Sequence, residues 1–318
     1  MNYAMRNYLL LLSLIFIPSA SYSQAYPIKP IRFVIGAAPG TILDAVARPV
    51  AAEMTKQLGQ PIVLEFKPGA GFSIAGRHVA SAPPDGYTLY YGNSVVFNPV
   101  VKLNGVDAEK ELTSISQFVS TPFFLMSRSN LPAKSLKEIA ALSKPDPDLL
   151  KHATQGATQN LAMVLLGART GISARPIPYS ASSQSLIAIL SGDVDLTLNP
   201  IIAFLPHIEK GDVRVLFVAS DKRSDVAPSA PTTAELGMPE FVVGTNSGLW
   251  GPPGTPRAIV QRLSDAAAAA IKTPEITGII RKAGGQPVGS TPEAQLQSFQ
   301  AEMRFWREAA KLANFQPQ

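Results

Sequence analysis

From Ile31 onward, short β-branched runs alternate with longer stretches in which apolar residues recur every three or four positions. Ile31-Arg32-Phe33-Val34-Ile35 predicts a strand, the Gly/Pro stretch behind it a loop, and Asp44 to Leu58 a helix. The pattern returns at once: strand Pro61 to Phe66, a glycine turn, helix Ser73 to Ser81, the turn Pro83-Pro84-Asp85-Gly86 and strand Tyr87 to Tyr91. Repeated strand and helix units predict a parallel sheet covered by helices on both faces.

A second set begins near Phe123. It reads as strand Phe123 to Ser127, helices Ser135 to Ser143 and Thr158 to Thr170, strand Arg175 to Tyr179, helix Ser182 to Leu190, strand Val194 to Leu198, a short helix Ile201 to Glu209 and strand Val213 to Ser220. The tail adds strand Ser247 to Gly251, a Pro/Gly turn, and helices starting at Arg257, Pro274 and Pro292, the last running to about Phe315. Proline at or near these helix starts is favourable, because its missing N–H would be unpaired there in any case. There is no internal repeat and no long low-complexity linker, so two lobes joined by short crossings near Ser120 and Val242 are expected.

The first residues change the picture. Arg6, the apolar run Leu9 to Ile17 broken only by Ser13, Pro18 and the small-residue stretch to Ala25 have the three-part layout of a secretory signal peptide. A run of about nine apolar residues is far short of the ~20 a spanning helix needs. Residues 1–25 are therefore read as a signal, cleaved near residues 23–25, ahead of a soluble exported chain. There is no cysteine anywhere, so neither a lipid anchor nor a disulfide framework is available and the apolar core must hold the fold. The net charge is only +5 with scattered basic residues, which excludes a nucleic-acid stripe.

Candidate chemistry concentrates in loops behind strands, where ligands of open α/β sheets sit. The loop Gly36 to Asp44 lies between a strand and a helix, and free backbone N–H groups with the positive helix end make it a natural carboxylate receptor. Read alone, it fits equally a tight Pro39-Gly40 turn in which Asp44 favours the helix start. The loop His152 to Asn160 opens another helix, with Thr158 either a ligand group or a capping residue. Gly92-Asn93-Ser94, Pro178-Tyr179-Ser180 and Asn199-Pro200 follow strands in the same way; a tyrosine there is otherwise half-buried packing.

Enzymatic readings are poorer. Gly71-Phe72-Ser73-Ile74-Ala75 nearly spells a hydrolase nucleophile elbow but ends in Ala, and His78, His152 and His207 stand in no triad context. Gly69-Ala70-Gly71 follows a strand, yet Ile74 breaks a dinucleotide fingerprint. Without cysteine or a close His/carboxylate set, no metal site is expected, and no cofactor.

Ordered motifs carry a family resemblance. Tyr26-Pro27-Ile28-Lys29-Pro30-Ile31-Arg32, Lys67-Pro68-Gly69-Ala70-Gly71, Ala82 to Leu89, Leu190-Ser191-Gly192-Asp193-Val194-Asp195-Leu196, Arg214 to Arg223, Ala230 to Gly237 and Gly285 to Glu293 together resemble the Bug proteins, the solute-binding components of tripartite tricarboxylate transporters. The resemblance implies a type II periplasmic-binding-protein fold, in which two α/β lobes close over a ligand in the cleft between them. It implies a discontinuous first lobe, 26–120 with 243–318, and a second lobe, 121–242. It implies a periplasmic monomer, not an enzyme, that captures a small carboxylate for the membrane subunits of such a transporter. A sensing module for a membrane kinase, or a periplasmic hydrolase, is the alternative.

From the strand-end loops and the resemblance together, the ligand-binding candidates are Ala37, Gly40, Thr41, Asp44, Asn93, Ser94, Gln155, Gly156, Ala157, Thr158, Tyr179 and Asn199. The chain departs from the family where Thr41, Ile42 and Leu43 replace a glycine-rich loop, where Asn160 stands for a histidine and where Ser180-Ala181 replaces a basic or polar residue and a glycine. Ile42 and Leu43 are expected to narrow the pocket or make it more apolar, which tilts the ligand toward a larger or more apolar acid.

Overall fold

The structure, a computed structural model, describes residues 26–69, 72–94, 107–144, 146, 148–155 and 157–314. The expected signal peptide and Gly156 lie outside the described residues.

The chain opens with β1 (Ile31–Ile35), α1 (Ile42–Leu58), β2 (Ile62–Phe66), α2 (Ser73–Ala80), β3 (Thr88–Asn93), α3 (Ala108–Glu111) and β4 (Thr113–Pro122). It continues with β5 (Phe124–Arg128), α4 (Leu136–Ser143), β6 (Lys151–Thr154), α5 (Ala157–Thr170), β7 (Arg175–Pro178), α6 (Ser182–Ser191), β8 (Leu196–Asn199), α7 (Leu205–Glu209) and β9 (Val213–Val218). The return passes through β10 (Gly244–Gly251), α8 (Arg257–Ile271), α9 (Pro274–Lys282), β11 (Gln286–Pro287) and α10 (Pro292–Leu312).

Two sheets result, β11-β4-β10-β3-β1-β2 and β7-β6-β8-β5-β9. The expectation of a parallel sheet needs correction. β1 runs parallel to β2 and β3, and β6 parallel to β7 and β8, but β10 is antiparallel to β3 and β4, and β5 to β8 and β9. The reason in the first sheet is topological: β4 carries the chain out and β10 brings it back beside it, so these two neighbours run in opposite directions.

The junction between the sheets is hydrogen-bonded to itself. Phe123 N–H donates to Val243 O (2.8 Å), Ala219 N–H to Phe123 O (2.8 Å) and Val243 N–H to Ala219 O (3.1 Å), tying the crossing segments into one knot of backbone. β4, rich in Ser and Thr, is nonetheless buried, because its polar groups find partners. Ser116 Oγ donates to Ser290 O (2.8 Å), Gln117 N–H to Ser290 Oγ (2.9 Å) and Ile115 N–H to Gln295 Oε1 (2.8 Å); buried polar groups that are paired cost little.

Helix α10 covers both halves. It packs on β4 of the first sheet and α5 of the second. Trp250 meets Phe299 edge-on, while Phe241 meets Phe305, so one core cluster runs from Val34 and Tyr90 through α10 to Leu198 and Phe217. Thr291 accepts from Ala294 N–H at the N-terminus of α10, with Pro292 in the first turn.

Candidate functional site

The carboxyl ends of β1, β2 and β3 share one edge because these strands are parallel, and the first set of predicted residues sits there. Ala37 is buried in the loop behind β1. Thr41 takes the N-cap position of α1 in extended backbone but makes no side-chain cap; its hydroxyl donates to Ala38 O (3.0 Å). The first turn of α1 therefore carries N–H groups without a capping side chain, at the positive end of the helix.

Asp44 is turned inward and serves the loop itself. Gly40 N–H donates to its Oδ2 (2.8 Å) and Arg48 holds it through Nε (2.8 Å) and Nη2 (3.0 Å). Burial alone pushes this carboxyl up, but the Gly40 N–H and the Arg48 guanidinium outweigh it and hold it below the usual range. The loop's shape is thus fixed by Asp44, and Gly40 N–H is spent on it. Leu43 corrects a second expectation: it is buried in the core, whereas Ile42 remains 50 % exposed, because consecutive helical positions point about 100° apart.

Asn93 ends β3, and its carbonyl accepts from the Tyr90 hydroxyl (3.3 Å). Ser94 points to the other side of that edge, where its hydroxyl donates to Glu302 Oε2 (2.7 Å). Asn246 Nδ2 donates to the same oxygen (3.0 Å) and Trp306 Nε1 reaches Oε1 (3.5 Å). Burial raises the Glu302 pKa, against the pull of these donors.

In the second sheet the carboxyl ends of β6, β7 and β8 again share an edge. Here side chains join. Gln155 N–H bonds the Gln159 side-chain oxygen, Gln155 Nε2 donates to Ser185 Oγ (2.8 Å), and Ser182 Oγ lies 3.1 Å from Gln155 Oε1 and 3.2 Å from Asn199 Oδ1. Gln159 Nε2 donates to Asn199 Oδ1 (3.1 Å), and Asn199 Nδ2 to Thr197 Oγ1. Gln155 and Asn199 are brought together; Ala157 and Thr158 form the first turn of α5. Tyr179 N–H donates to Thr154 O (2.8 Å), and its half-buried ring packs on the cluster around Ala153 and Ile189. The sequence reading missed Gln159, Ser182 and Ser185. Their signal is polar residues one turn into helices that follow the strand ends, which periodicity alone does not separate from solvated faces.

A cavity of about 590 Å³ lies elsewhere, between α10 and the crossing segments, lined by Gln117, Asn246, Arg169, Arg304, Glu302 and Trp306 among others. None of the predicted residues lines it. Across it Arg169 pairs with Glu308 (3.4 Å) and Glu240 (3.9 Å), and the strand ends, where ligands of open α/β sheets sit, are taken as the candidate site.

The hydrolase residues do not assemble. Ser73 is buried and within 3.5 Å of Arg77 Nη2, His152 is buried with Nδ1 on Ala174 O (3.0 Å), and His207 pairs with Asp212 (3.1 Å). Among the described residues no group of three or more His, Asp or Glu is placed to hold a metal ion.

The family model TctC, described as the tripartite tricarboxylate transporter family receptor, matches residues 46–312. The chain belongs to this family. Among solved TctC relatives, the periplasmic binding protein BugD is 29 % identical, with a TM-score of 0.71 over 92 % of this chain and 100 % of its own. MatC from Rhodopseudomonas palustris with bound malate is 31 % identical, with a TM-score of 0.70 over 89 % of this chain and 99 % of its own. A second R. palustris protein, with adipate, is 28 % identical, with a TM-score of 0.75 over 92 % and 100 %. The fold is accordingly that of the Bug and TctC periplasmic binding proteins, with two α/β sheets. Among the described residues no helix is long and apolar enough to cross a membrane.

Proposed function

We propose that this TctC-family chain is a periplasmic solute-binding protein that captures a small carboxylate between its halves and presents the closed form to a tripartite transporter. The lobes are 26–120 with 243–318, and 121–242. One observation carries the reading: α1 begins at the carboxyl edge of its sheet with no side-chain cap, so main-chain N–H groups and the helix dipole are aimed where an anion would lie. The strand ends of the second sheet would supply polar groups from the Gln155, Ser182 and Asn199 network, whose members hold one another in place. The malate and adipate carried by two relatives agree with this chemistry. The pairing of Ser73 with Arg77 and the buried setting of His152 favour binding over catalysis.

The test is a thermal-shift screen of the mature protein, refolded to strip any ligand, against carboxylic acids and their amides. A ligand present at about 100 times its Kd adds about 2.7 kcal/mol of stability, so the unfolding midpoint rises visibly. An acid that stabilises while its amide does not supports the reading; a panel without any shift refutes it.

A further inference from the structure

Phe72 stands in left-handed backbone, φ 73° and ψ −3°, at the N-cap of α2. A bulky side chain in that region is strained, and such strain collects at ligand clamps. The residue packs against the core clusters on both faces of the first sheet and remains half-buried. A side chain that touches both faces must sit over the strand ends rather than on either face. There it lies on Gly36, the first residue of the loop behind β1: a Cβ on Gly36 would come within 2.7 Å of Phe72 Cβ and 3.0 Å of its Cδ1. Gly36 is what allows the ring so close.

Exposed apolar side chains stand at the starts of both helices. Ile42 and Ile74, the residues at the starts of α1 and α2, are 50 % and 44 % exposed. Among the described cations of the flanking segments, Arg48 pairs with Asp44 and Lys67 with Glu65 (2.8 Å), and Arg77 Nη2 donates to Ser73 Oγ (3.5 Å).

We propose that Phe72 is a specificity-determining residue, whose ring lines the first-sheet side of the site and selects monocarboxylates with an apolar body over short hydroxylated or doubly charged acids. The inference rests on the carboxylate reading above and deepens it. Main-chain N–H groups at α1 receive the carboxylate, the ring and Ile42 cover the body, and a second carboxylate on that side would have to compete with Asp44 for Arg48 or with Glu65 for Lys67.

The experiment is calorimetric titration of the wild type and Phe72→Gly with benzoate, hexanoate, succinate and malate. Glycine suits φ 73° and relieves the strain while the packing of the half-buried ring is lost, so thermal unfolding of both proteins first checks that the variant is folded at the temperature of the titration. The wild type should prefer benzoate and hexanoate by about tenfold or more, the order of discrimination an apolar pocket provides. Phe72→Gly should lose that preference while keeping or improving its affinity for succinate. A wild type that prefers succinate or malate, or a variant that keeps the preference, overturns the role of Phe72 but leaves carboxylate binding standing. Binding of none of the four acids by either protein overturns both.

Discussion

The first loop takes its shape from a side chain that turns inward. That side chain is Asp44, whose carboxylate faces inward to Gly40 N–H and Arg48. Asp44→Asn keeps an acceptor for Gly40 but loses the charge, and should lower stability at pH 7 by about 1–3 kcal/mol, measured by denaturant unfolding. Because the folded-state pKa lies below the unfolded value of about 3.9, this contribution is present above that value and vanishes as pH falls through the folded one. The two unfolding curves should therefore converge at strongly acidic pH. A gap that persists there would assign the effect to shape and not charge. The strand-loop-helix placement of this loop was legible from the order of apolar and Gly/Pro residues. That Leu43 turns into the core and Ile42 does not was hidden, because the start of α1 was read at Asp44 and lies at Ile42. Phe72 was invisible for a different reason, since no composition or spacing signals a left-handed phenylalanine.

Among elements, legibility followed periodicity. The last three helices begin where their prolines and preceding turns place them, at Arg257, Pro274 and Pro292. β4 was missed because Ser and Thr do not read as a buried strand; its burial depends on partners from Ser290 and Gln295, more than 170 residues away in sequence. Helix α10 holds a similar surprise, for Glu302 lies on the stripe of Phe299, Met303 and Trp306. Its pKa is raised by burial, so its favourable state is the neutral one. That contribution is full below the unfolded value of about 4.3 and is lost as pH rises through the higher folded value. Glu302→Gln, neutral throughout, should gain on the wild type in unfolding temperature as pH is raised from 4 to 7. A difference that stays flat across that span would mean that the donors Ser94, Asn246 and Trp306 compensate the buried charge.

For the molecule as a whole, two strand-helix sets and a chain that crosses and returns were readable from the sequence, but the mixed direction of the strands was not. Direction depends on which strand becomes whose neighbour, and the outgoing and returning segments meet in the knot at Phe123, Ala219 and Val243. If the halves close about that knot, saturating ligand should shrink the radius of gyration in solution scattering while the folded fraction stays constant. Scattering that is unchanged at saturation would exclude closure and leave capture by a preformed site.

The reach of α10 across both halves governs the order in which the protein can come into being. Until residues beyond 291 have been made, β4 and α5 both lack the helix that covers them, and the aromatic partners of Trp250 and Phe241 are missing. The core faces on the other side of each sheet hold no α10 residue and can form before it. The face shared by the two halves stays open on the nascent polypeptide until α10 has emerged to cover it.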